Sequence, residues 1–376
     1  MVPPKLKIAL VGCGQIADAH LQEIRKIAGT DPVAVCDRHE DLARQAADRF
    51  NVPGVYNDLG RMLDEARPDV LHVTTPPRSH KSISLQAIAA GVHVYVEKPF
   101  AIDVTDADEI LKAAREAGRE ICVGHDQLFD PAWRECRRLL DAGQLGRVVH
   151  VESIQGYDLG GPFGRAFIGD CGHWVRDLPG GLFQNVMSHA LYRITDLLTD
   201  PEPEVRATWS GEGAALGLPT ELRATISGRD VTGNLVFTSS ARPVQRSTRI
   251  FGSLGGVEVD LDSQLLRRFT KAGLPGAFAK VEIPLRHWGE ATRSSFRSIG
   301  RFLRSELHYF EGMKTLFEAF YRSIASDGPP PIASAEIHRV TAIMDAIFDS
   351  CRHGGERRRL IAGHPTLEQS ARGGDS

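Results

Sequence analysis

No run in this chain approaches the roughly 20 apolar residues that a membrane span requires. The N-terminal MVPPKLKIALVG shows no cleavable leader, because its apolar stretch leads straight into a glycine loop. No CxxC pair occurs: six cysteines stand far apart, at 13, 36, 122, 136, 171 and 351, and read as reduced thiols. These absences favour a cytoplasmic location. Positive charge is also in short supply, 45 lysines and arginines against 48 acidic residues for a net −3, so there is no overall field for a phosphate backbone and nucleic acid is excluded as an expected partner. Neither internal repeats nor low-complexity tracts are evident. What is present is 376 residues, 42% apolar and 25% charged, enough for two cores.

Up to residue 124 short β-branched runs (KIALVG, PVAVCD, DVLHVTT, VHVYVE, EICVG) alternate with amphipathic stretches such as DLARQAADRF. Buried parallel strands with crossover helices produce that rhythm, so residues 1–124 are expected to form a doubly wound α/β, Rossmann-type domain. Longer alternating pieces follow without intervening helices, among them VVHVESIQGY, LRATISG and VTGNLVFTSS. They predict an α+β domain over 125–352 with an open, largely antiparallel sheet, and helices over 131–142, 182–198, 310–326 and 335–351. Residues 353–376 form a polar, glycine-rich tail whose last dozen residues are expected to be loose.

Gly12, Gly14 and Ala17 make a GxGxxA directly after a predicted strand. The first glycine permits a tight turn, the second lets the backbone approach a pyrophosphate, and the small third residue lets helix and strand pack closely. With Gln15 and Ile16 these residues open a helix whose N-terminal amides would face the anion. Asp37, at the end of PVAVCD, is placed to accept bonds from ribose hydroxyls, which favours NAD, although it could also cap a helix. Its neighbour Arg38 keeps NADP open. Thr75 and Pro76 form a rigid loop at a strand's carboxyl end, and His80 follows as a cofactor contact or a packing residue.

The pieces VGCGQIADAH, VCD, TTPPRSH, VEKP, GHDQLFDPAW, LGRVVHV, PGGLFQNVMSH and SAEIHRVTAIMDAIFDSCRHG together resemble the Gfo/Idh/MocA oxidoreductase family, in order and over nearly the whole chain. The resemblance implies an NAD(P)-dependent dehydrogenase acting on a hydroxyl or ketone of a sugar, cyclitol or nucleotide sugar. It places Glu97 and Lys98 beside the nicotinamide, with a cis bond before Pro99, and makes His189 the acid/base. The chemistry agrees: an alcohol oxidation must shed a proton, and a lysine beside a positive ring or an imidazole that titrates near neutrality can take part. Asn185, four residues before His189, stands where the family commonly has aspartate, and Asp126 stands where it commonly has asparagine. The expectation is that the carboxylate has moved from helix to loop. Leu128 replaces an arginine common in the family.

Tyr157, Trp174 and Arg176 are candidates for a sugar-binding edge, with core packing the alternative for Trp174. Asp170, Cys171 and His173 lack a second pair at zinc-like spacing, so no metal is expected. Basic residues exceed acidic ones between 267 and 304, where SSFRSIGRFL reads as a basic amphipathic helix; a solvated insertion or a subunit contact is favoured over a partner or membrane-surface contact. A homodimer or homotetramer through the open sheet is what the resemblance implies. Two rival readings stay open: a redox-neutral enzyme that retains its NAD, and a non-catalytic dinucleotide-binding protein.

Overall fold

The computed structural model describes residues 5–212, 219–303, 311–356 and 358–359. Six parallel strands form the first sheet: β1 (Leu6–Val11), β2 (Thr30–Cys36), β3 (Gly54–Tyr56), β4 (Val70–Val73), β5 (His93–Val96) and β6 (Ile121–Val123), in the order β3-β2-β1-β4-β5-β6. The order reverses beside β1, which opens a crevice at the carboxyl ends of β1 and β4. Five helices make the crossovers: α1 (Gln15–Ile24), α2 (Glu40–Phe50), α3 (Leu59–Ala66), α4 (His80–Ala89) and α5 (Val104–Ala117). Local chemistry sets their ends. The Asp58 and Asp103 carboxylates accept the amides of Arg61 and Asp106, and α5 stops at Gly118 in the left-handed region.

The second half begins with α6 (Pro131–Asp141), β7 (Val148–Gly156), α7 (Pro162–Gly169), α8 (Gly181–Val186) and α9 (Ser188–Thr195). Then come β8 (Glu204–Glu212), β9 (Pro219–Ser227), β10 (Thr232–Thr238), β11 (Arg246–Gly252), β12 (Gly255–Asp260) and β13 (Leu265–Thr270). Three long helices follow, α10 (Ala279–Leu303), α11 (Glu311–Ser326) and α12 (Ser334–Arg352), and a short β14 (Arg358–Arg359). The eight strands run β13-β12-β11-β7-β10-β9-β8-β14, antiparallel except for β7 against β10. Side-chain alternation is plain in β9, where Leu222, Ala224 and Ile226 are buried while Arg223 and Thr225 are exposed. The buried face packs on α9 and α12.

Three expectations need correction. The predicted helix over 182–198 is two segments meeting at Met187, although Met187 keeps right-handed helical angles. The first core is not confined to residues 1–124. Met313, Leu316, Phe317, Phe320 and Tyr321 of α11 pack into it, because that helix is apolar on the face it turns to β4 and β5. The polar tail opens in a turn and then contributes a two-residue strand, β14, that pairs with β8; the stretch expected to be loose lies outside the described residues.

Candidate active site

Gly12 follows β1 with φ of +96°, and a Cβ there would lie 2.7 Å from the Thr75 amide nitrogen, so both its conformation and its surroundings demand glycine. The Thr74 hydroxyl closes the same corner by donating to the carbonyls of Val11 and Gly12. Gly14 differs: a Cβ on it would meet nothing within 4 Å, and as N-cap of α1 it makes no side-chain bond to the first-turn amides. Gln15 is exposed at the head of α1, Ile16 is half-buried, and Ala17 is fully buried against the strand. An open glycine face before uncapped helix amides is a cradle for a diphosphate. Asp37 stands at its rim, its carboxylate accepting the amides of Cys13 (2.8 Å) and His39 (2.8 Å). Arg38 is exposed and donates to the ring of His39.

Thr75 is half-buried and Pro76 exposed on the next loop. His80 is fully buried, one ring nitrogen 2.8 Å from the Thr75 carbonyl and the other 3.1 Å from that of Pro99. It ties two loops together, the packing role that the sequence left open beside a cofactor contact.

The bond between Lys98 and Pro99 is cis. Lys98 donates from Nζ to the main-chain carbonyl of Asn185 at 3.0 Å, so Asn185 acts here through its backbone. Glu97 is buried behind it, Oε2 accepting the Lys98 amide and Oε1 bonded to His20 Nε2 at 2.9 Å. Burial pushes the Glu97 carboxyl up, but the His20 bond and the nearby charges of His20 and Lys98 outweigh it and hold the group below its ordinary range. Gly124 is small for a reason, since a Cβ there would come within 3.0 Å of Glu97 Oε1.

The chain of bonds continues inward. His20 Nδ1 lies 2.9 Å from His72 Nδ1, and His72 Nε2 lies 2.7 Å from the hydroxyl of Tyr321. Tyr321, His72, His20 and Glu97 thus form one continuous buried chain of hydrogen bonds. Burial, then His20, holds His72 far below its usual range.

Opposite Lys98, His189 on α9 has Nδ1 2.7 Å from the Tyr192 hydroxyl, which donates to Asp126 Oδ1 at 3.2 Å and accepts the Gln127 amide at 3.3 Å. His189 Nδ1 and Asp126 Oδ1 are 4.0 Å apart. Because the Tyr192 proton is committed to Asp126, His189 Nδ1 carries hydrogen and Nε2 keeps a lone pair. Burial and the charges of Lys98 and Arg193 push His189 well below its ordinary range, so the ring is neutral. Burial and Glu97 raise Asp126 to about 6, against the opposing pull of Lys98 and Tyr192. His125 stacks on Tyr192 with ring centroids 4.5 Å apart.

Lys98, Asn185, Asp126 and His189, four residues singled out from the sequence, are therefore brought together. Tyr157, Trp174 and Arg176 lie on the 157–178 segment. Arg176 spends its donors on the carbonyls of Asp170 and Phe167 and its plane on the Phe167 ring, which makes it a loop brace. Trp174 stacks on His173, and Tyr157 packs edge-on to Phe163. Arg78 reaches this segment at the Asp177 carbonyl, linking it to the cofactor loop. Asp170 and His173 accept the amides of Gly172 and Val175. Sequence reasoning missed Tyr192, His125, His20, His72 and Tyr321. Tyr192 was reachable, being three residues after His189 and so on its face; Tyr321 was not, lying 249 residues from His72.

Residues 6–125 match the oxidoreductase family with an NAD-binding Rossmann fold, and residues 133–258 match the GFO/IDH/MocA C-terminal domain. The chain is 26% identical to D-apiose dehydrogenase of Paraburkholderia graminis, over 98% of this chain and 94% of that protein. It is 34% identical to inositol 2-dehydrogenase 4 of Saccharopolyspora erythraea over 38% of this chain and 43% of the relative. Among solved structures, the WlbA dehydrogenase from Bordetella pertussis in complex with NADH and UDP-GlcNAcA superposes with a TM-score of 0.77 at 21% identity, covering 96% of this chain and 99% of the other. Motifs, topology and both family matches agree that this chain belongs to the Gfo/Idh/MocA family of NAD-dependent oxidoreductases.

Proposed function

We propose that the protein interconverts a secondary hydroxyl and a ketone on a sugar, cyclitol or nucleotide sugar. The observation that carries this reading is that Lys98 and His189 share one site, the Lys98 charge acting on the His189 ring, with Asp126 fixing that ring through Tyr192. NAD, when bound, supplies the hydride acceptor. Gly12, Gly14 and the first turn of α1 hold its diphosphate, and Asp37 holds the adenosine ribose hydroxyls and repels a 2′-phosphate. In the oxidative direction Lys98 binds the substrate oxygen and favours its alkoxide, and His189 takes the hydroxyl proton at Nε2. The neutral ring is in the right state to receive it. Relatives named for apiose, inositol and UDP-sugar chemistry support a polyhydroxylated substrate.

The uncovered face of the eight-stranded sheet supports assembly into a homodimer or homotetramer. Six free cysteines, five of them buried, support residence in the cytoplasm.

The test is a titration of NAD and NADP by protein fluorescence, followed by a screen of sugars, cyclitols and UDP-sugars at the NADH absorbance band. NAD should bind at least about tenfold more tightly than NADP, and one substrate class should produce NADH. Lys98→Met should then cut turnover by roughly 10²–10⁴-fold while NAD binding persists. Substrate conversion without net NADH would replace this reading with a redox-neutral one.

A further inference from the structure

Helix α10 carries an apolar stripe that nothing among the described residues covers. Val281, Leu285, Trp288, Phe296, Ile299 and Leu303 are exposed, Trp288 and Phe296 to 70% and Leu303 to 77%. With Thr292 between them, these positions step by four, three, four, four, three and four, a repeat of eleven residues. That period, about 3.7 residues per turn, is so close to the helix's own that the stripe runs straight along one side. The opposite side is occupied. His287 meets the Phe269 ring, Arg286 donates to Thr270, and Glu290 accepts the Arg268 amide on the outer edge of β13. So α10 protects a sheet edge with one face and turns the other to solvent.

The stripe exposes on the order of 700 Å² if a whole aromatic side chain counts about 150–250 Å² and an aliphatic one somewhat less. An ordinary soluble monomer's largest apolar patch is about 300–600 Å². Charge identifies the occupant. Between residues 267 and 304 nine lysines and arginines stand against two glutamates, a local +7, whereas the whole chain carries −3, leaving −10 elsewhere. Glu282 is already engaged by Arg286 and by the amides of Gly273 and Leu274, and Glu290 by β13. Two copies of so positive a segment repel each other, and neither has a free carboxylate on α10 to offer the other. An anionic bilayer offers both an apolar boundary and the opposite charge.

We propose that α10 is a peripheral membrane anchor: it lies flat on an anionic phospholipid surface with Leu285, Trp288, Phe296, Ile299 and Leu303 in the acyl boundary and with Lys280 and Arg293 at the headgroups. The rest of the molecule, being acidic, is turned away from that surface. This assignment is independent of the reaction the enzyme performs.

The test is co-sedimentation of the full chain with vesicles of phosphatidylglycerol and phosphatidylcholine, and with phosphatidylcholine alone. Binding to the anionic vesicles is expected to be at least about tenfold stronger and to weaken steeply with salt. Trp288→Ser with Phe296→Ser, and separately Lys280→Glu with Arg293→Glu, should each lower it at least about tenfold. NAD binding and the melting temperature should stay unchanged, because all four side chains are exposed. Absence of binding to anionic vesicles would overturn the proposal. So would a vesicle-free dimer that sediments as a monomer after Trp288→Ser with Phe296→Ser, since the stripe would then be a seam between copies.

Discussion

At His189 the two ring nitrogens have different duties, one held by Tyr192 and the other left for substrate, and the division depends on Asp126 being ionised. Asp126 is raised to about 6 and His189 is pushed well below 6.5, both first by burial. As pH falls through about 6, Asp126 gains a proton while His189 is still neutral. A protonated Asp126 no longer draws the Tyr192 hydrogen, and the tautomer that keeps Nε2 bare loses its support. The acid limb of kcat/KM is therefore expected near pH 6 and belongs to Asp126. Asp126→Asn should remove that limb, and Tyr192→Phe should lower kcat by roughly 10–100-fold with a smaller change in KM. An unaltered pH profile in Asp126→Asn would deny the carboxylate this role. The sequence pointed to Lys98, His189 and Asp126 because their motifs are local. It was silent on Tyr192 as the link, and on the Asn185 carbonyl, because a main-chain group leaves no mark in residue identity.

The strands and helices of the first half were legible because each is a buried apolar run or an amphipathic period. Those that escaped were short or atypical: β3 has three residues, and α7 is a single eight-residue helix rich in glycine and aromatics. The break between α8 and α9 has no breaker residue; Met187 stays helical, and only the ladder changes. The β1-to-α1 corner was read correctly in kind, yet its two glycines prove unequal, Gly12 pinned by φ and by Thr75, Gly14 open. Gly12→Ala should consequently cost about 1–3 kcal/mol of stability and weaken NAD binding, whereas Gly14→Ala should leave stability nearly intact and act on NAD binding. Urea unfolding beside NAD titration separates the two.

Across the whole molecule, carboxylates sit where the halves join. Asp345 of α12 accepts the amide of Val104 at the start of α5, and Asp130 accepts that of Gly312 in α11. Burial raises each to about 7. A carboxyl whose folded pKa lies above its unfolded one contributes stability that is complete below the unfolded value, falls steadily between the two, and is fully lost once pH has passed the folded value. Between pH 6.5 and 8 each should therefore lose roughly 1 kcal/mol, lowering the melting temperature by a few degrees. Asp345→Asn should remove about half of that slope in a calorimetric pH series. Below pH 6.5 the buried neutral His72, His125 and His189 work the other way, because the unfolded chain protonates first.

The placement of α11 inside the first core has a consequence for the newborn chain. At about 5–20 residues per second, the ribosome delivers Phe317 and Tyr321 on the order of 10–40 s after β6 has been made. Throughout that interval the parallel sheet is left with a bare apolar flank, and His72 without its hydroxyl partner. The part of this enzyme that holds the nucleotide is begun first and completed nearly last, so a stalled or shortened message yields no small working nucleotide binder but a sticky fragment for chaperones to hold.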